Sequence, residues 1–90
     1  MMEIDVNKPI YIENHHLYES KYAIQNNGLF CNIDWAYDLK LSKTKFIKTL
    51  VNEYNAKFFH KNIFLFEKKE DAKKAVQWLE NIFISFKLAS

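Results

Sequence analysis

Few residues in this chain have the type and spacing to do chemistry. They are one Cys, three His and a handful of carboxylates. Asp34 and Asp38 come first. They lie in Leu29–Leu41, LFCNIDWAYDLKL, where Leu29, Cys31, Ile33, Trp35, Tyr37, Leu39 and Leu41 alternate with mostly polar positions. Strict alternation over this length predicts a strand with one face on a core and one toward water. On a strand, carboxylates four residues apart stand about 13 Å from one another. General acid–base pairs that share one bond sit within about 10 Å. Asp34 and Asp38 therefore read as solvated charges, with Asp34 placed opposite Lys21 across a hairpin.

His15 and His16 are adjacent, so on a strand they point to opposite faces and do not share one metal ion. Neither HExxH nor CxxC spacing is present. Parity puts Cys31 on the inner face, where it reads as a small core hydrophobe and not as a nucleophile. His60 falls in an expected turn. With one Gly in the chain, P-loop and dinucleotide fingerprints are excluded. The expectation is a protein that is not an enzyme and takes no metal or cofactor.

The positive charge consists of thirteen Lys and no Arg, for a net charge of +2. Arg is the usual residue for bidentate capture of phosphate or guanine, so its absence counts against specific nucleic-acid reading. Lys43, Lys45 and Lys48, with Lys69, Lys73 and Lys74, could form a basic face. Glu53, Glu70, Asp71 and Glu80 interleave with them, as on an ordinary solvated helix surface. An RNA-recognition-motif platform does not fit, because the element order differs and its signature is missing.

The elements that must position these residues are legible in order. Ninety residues make a single domain, 1–90, and fifteen aromatic side chains supply a large buried area for that length. Residues 1–8 read as a loose lead-in. Pro9 then opens an edge strand, Ile10–Glu13. Asn27-Gly28 between alternating runs predicts a type I′ hairpin turn. Pairs then sum to 55: Asn26 faces Leu29, Ile24 faces Cys31, Tyr22 faces Ile33 and Tyr18 faces Tyr37. Ser42 caps a helix over Ser42–Tyr54, with Phe46, Ile47, Leu50, Val51 and Tyr54 as its stripe. Lys57–His60 and Asn62–Glu67 form a second hairpin. Glu70 and Asp71 start a last helix, Lys69–Phe86, and residues 87–90 are a frayed tail. The result is an α+β chain of order β-β-β-α-β-β-α. It forms a two-layer sandwich, an antiparallel sheet with both helices on one face.

One cysteine cannot form an internal disulfide, which points to a reducing compartment. The stretch MMEIDVNKP shows no secretory signal, and no apolar run reaches the roughly 20 residues of a membrane span. A soluble, cytoplasmic protein without a membrane partner is expected.

The remaining signal is the outer sheet face. It carries Phe30, Asn32, Asp34 and Asp38, with one pair from Ile63–Phe66, either Ile63 and Leu65 or Phe64 and Phe66. Mixed aromatic and polar patches are what protein interfaces use. The edge strand offers a second route, through Tyr11 and its exposed backbone. The candidate contact residues are Tyr11, Phe30, Asn32, Asp34, Asp38, Phe64 and Phe66.

The segment Phe66–Ile82, FEKKEDAKKAVQWLENI, resembles small phage-encoded proteins of AT-rich hosts, in which a strand runs into an acidic helix start, then Ala-x-x-Ala and Trp-Leu-Glu. Short, Arg-poor, aromatic-rich domains of this kind resemble phage accessory proteins, which include anti-CRISPR inhibitors of host defence. The resemblance implies a protein that occupies a surface of a host protein. The alternatives are a nucleic-acid-binding accessory protein that uses helix lysines, and a homodimeric interaction module.

Overall fold

A computed structural model describes residues 3–15, 21–59 and 63–89. The hairpin forms where its turn chemistry places it. Asn27 and Gly28 both adopt positive φ, 54° and 80°, as a type I′ turn requires. β2 (Tyr22–Asn26) and β3 (Leu29–Phe30) pair with Asn26 opposite Leu29 and Gln25 opposite Phe30. The Cys31 amide donates to the Ile24 carbonyl at 2.7 Å, which carries the same register one pair further. β1 (Ile10–Asn14) pairs with the other side of β2 and forms a sheet edge, as expected. The expected Tyr18–Tyr37 pair involves a residue outside those described.

Beyond Cys31 the chain departs from the expected strand. The Asn32 side chain accepts from the Asp34 amide at 2.7 Å, and the Trp35 amide donates to the Asn32 carbonyl at 3.1 Å. This Asx turn starts a short helix, α1 (Asp34–Asp38). Its end is a Schellman arrangement. Lys40 takes φ of 57°, and the Leu41 amide donates back to the Ala36 carbonyl at 2.8 Å. The physical reason lies in the spacing. Cys31, Trp35 and Leu39 are buried, and steps of four satisfy strand parity and helix period alike. Ala36 is buried and Tyr37 is 84% exposed, the reverse of what a strand would do.

The edge of β2 that α1 vacates goes to β5 (Ile63–Phe66). Tyr22 pairs with Phe66, not with Ile33, and Ala23 pairs with Leu65. β4 (Lys57–Phe59) adds outside β5, giving the order β1-β2-β5-β4, with β3 also on β2. The expected turn at His60 to Asn62 lies outside the described residues. β5 is a central strand, which explains its apolar run. Phe64 and Phe66 face the helices, and Leu65 is buried on the opposite side.

Ser42 caps α2 (Lys43–Lys48) as read, its hydroxyl accepting from the Lys45 amide at 3.3 Å. The helix runs on as a π-helical segment, Thr49–Glu53. It buries Phe46 and Leu50 and sets Phe46 and Tyr54 against Trp78 at 5.6 and 5.9 Å. α3 (Lys69–Ala89) lies across the sheet and buries Ala72, Ala75, Leu79 and Phe83. It stays helical through Lys87–Ala89, so the expected fray is absent over those residues. The whole is a small α+β domain, a five-stranded antiparallel sheet with its helices on one face.

The N-terminal stretch is not a loose lead-in. The buried Asn26 side chain accepts from the Asp5 amide at 2.7 Å. Its Nδ2 reaches the carbonyls of Asp5, Lys8 and Pro9 at 3.0, 3.1 and 3.0 Å. Asn27 Nδ2 donates to the Glu3 carbonyl at 2.9 Å, and Ile4 and Val6 pack against the core. The turn that closes the hairpin thus also holds residues 3–9.

Candidate functional site

The seven expected contact residues divide among three places. Phe64 and Phe66 are fully buried in the main core and so, contrary to expectation, are not surface residues. Burial decides between the two expected pairs, because β5 needed one apolar face toward the helices and the bulkier rings fill it. Tyr11 stands on the outer sheet face, 53% exposed. Phe30 is half-buried on that face, its ring 5.1 Å from the buried His15 ring. Asn32 is half-buried, and its side chain closes the turn before α1.

Asp34 and Asp38 are not on the sheet. They occupy successive turns of α1, where residues four apart have Cβ atoms about 6 Å apart. Glu3, fixed through Asn27, lies close enough to add its charge. Desolvation first, then the charges of Glu3 and Asp34, hold the Asp38 carboxyl above its ordinary value. Among the described residues no lysine forms a salt bridge with Asp34 or Asp38. Nor do any three His, Cys, Asp or Glu among them group to hold a metal ion.

Lys21 pairs elsewhere. Its ammonium meets Glu67 at 2.8 Å, and Lys57 meets the same carboxylate at 3.1 Å. These two hydrogen-bonded cations pull Glu67 from 4.5 down to about 2. The Tyr22–Phe66 pairing puts Lys21 beside Glu67, while the turn to α1 carries Asp34 off the sheet.

Sequence reasoning missed Tyr37, which parity had turned inward. It projects into water between two carboxylates. A groove of about 510 Å³ is lined by Leu39, Leu41, Trp78, Ile82 and Phe86. A second hollow, about 440 Å³, is lined by Glu3, Asp5, Asp38 and again Phe86. Burial pushes the Cys31 thiol well above its ordinary value, so it offers no thiolate for nucleophilic attack. No described helix is long and apolar enough to cross a membrane.

With α1 and the groove described, comparison with known proteins finds that no family model, curated protein or solved structure matches the chain.

Proposed function

We propose that this chain is a non-enzymatic protein-binding module, of the phage inhibitor type, which acts by occupying a surface of a host protein. The observation that carries the reading is the α1 turn. Tyr37 is 84% exposed and stands between Asp34 and Asp38. Tyr is among the residue types that dominate interface energetics, because one side chain brings a large contact area and a polar tip. Like charges four apart on a helix oppose its stability, so an unneutralised pair there is a cost that a cationic partner would relieve. The proposed contact surface therefore lies on α1 and not on the outer sheet face, and includes Asp34 and Asp38.

The test is capture of host protein by tagged chain, with the wild type and Tyr37→Ala compared at low and high salt. A single protein retained by the wild type and lost by the variant supports the reading. Recovery of nucleic acid alone, released at high salt, would replace it with the lysine-dependent alternative.

A further inference from the structure

We infer that the two hollows meeting at Phe86 form one trough for an amphipathic helical segment of the partner protein, apolar along its length and basic at one end. This rests on the protein-binding reading and specifies what it binds. α3 lines the apolar part from Trp78 to Ala89, about 17 Å of helix axis. Leu39 and Leu41 form the facing wall. That length suits about three turns of a docked helix, which presents side chains at i, i+3, i+4 and i+7. An open apolar hollow lined along about three turns of α3 fits a chain segment better than a compact metabolite.

Charge sets the polarity of the occupant. At the far side of Phe86 the lining adds Glu3, Asp5 and Asp38, beside Ile4, Val6 and Asn27. Lys40 lies on the apolar wall, and Lys8 is turned to the Asn27 side chain at 3.1 Å, so neither neutralises the three carboxylates by an ion pair. Desolvation first, then the charges of Glu3 and Asp34, hold the Asp38 carboxyl above its ordinary value. A helix whose leucines fill the groove and whose terminal lysines reach this end would bury apolar area and relieve that repulsion. A second copy is a poorer occupant. Its exposed α3 end, Asn81–Ala89, carries Lys87 as its single charge.

The probe is a synthetic helical peptide with leucines at i, i+3, i+4 and i+7 and two lysines at one end, beside a twin ending in two glutamates. Binding is followed by amide chemical shifts. The lysine peptide is expected to bind about tenfold or more tighter than its twin. The shifts should centre on Leu39–Leu41 and Ile82–Ala89. Ser85→Arg, a change at an exposed groove position, should abolish binding without altering the melting temperature. Equal affinity of both peptides, shifts elsewhere, or a concentration-dependent dimer lost on Ser85→Arg would overturn the inference. A host protein lost with Tyr37→Ala but retained with Ser85→Arg would refute the trough and leave the protein-binding reading standing.

Discussion

Glu67 and Asp38 are both surface carboxylates, and their surroundings push them in opposite directions. Glu67 lies between Lys21 and Lys57 and is pulled down to about 2. Asp38 is held above its ordinary value by desolvation first, and then by the charges of Glu3 and Asp34. The first cluster is complete within the fold, since Lys21, just before β2, and Lys57, in β4, both meet the one carboxylate that follows β5. The second is incomplete, because the chain brings carboxylates together and supplies no cation by ion pairing among the described residues. The two carboxyl groups thus differ in their neighbours: Glu67 has its cations within the fold, and Asp38 is desolvated among other carboxylates.

The comparison breaks most severely at Asn26. Asn26→Leu removes the clamp on residues 3–9 and leaves the carbonyls of Asp5, Lys8 and Pro9 without that donor. A loss of about 3 kcal/mol is expected by urea denaturation. Glu3 would be released with the clamp, so Asp38 should titrate nearer its ordinary value while Glu67 stays low. Unchanged stability would mean that the clamp is incidental.

Reversing charge tests the division of roles. Asp34→Lys with Asp38→Lys should weaken partner binding by about 2 kcal/mol, near thirtyfold, with the melting temperature preserved. Glu67→Gln should leave binding unaltered. If both variants lose binding equally, the two clusters are not functionally distinct.

The smallest effects concern pH. Glu67 has a folded value below its unfolded one. Its contribution is therefore present above about pH 4.5 and lost as pH falls toward about 2. Asp38 is raised, so its contribution is present below its ordinary value and lost as pH rises through the folded one. Glu67→Gln should flatten the acid limb of the stability curve and slightly lower stability at neutral pH. Asp38→Asn should raise neutral stability slightly while weakening binding. Thermal melts from pH 2 to 7 resolve these opposite signs, and the same sign for both would break the comparison.

Much of the fold was legible because local chemistry fixed it. Asn27-Gly28 specified the turn, Ser42 the helix cap, and Phe46 and Leu50 the α2 stripe. The pairing sum of 55 held through Cys31. It failed at α1, where residues 31, 35 and 39 suit either period. The discriminating signals were local: Asn32 two residues before Asp34, and Asp34–Asp38 without a β-branched residue. The same error misplaced three residues of the proposed contact surface. It set the two aspartates on a sheet and turned Tyr37 inward. The Lys21–Glu67 pair needed the β2–β5 register, which joins residues 46 apart and leaves no local trace. Both faces of β5 are apolar, so its sequence leaves open which pair, Ile63 and Leu65 or Phe64 and Phe66, faces outward, and only the packed helices distinguish them.

The central claim is that the acidic end of the trough accepts a basic segment. It is tested most directly by titrating the Asp38 carboxyl carbon by NMR, in the free chain and with the lysine-tipped peptide bound. The account predicts a value above the ordinary one in the free chain and a clear fall on binding, as a cation favours the carboxylate. An Asp38 that titrates identically in both states would contradict it.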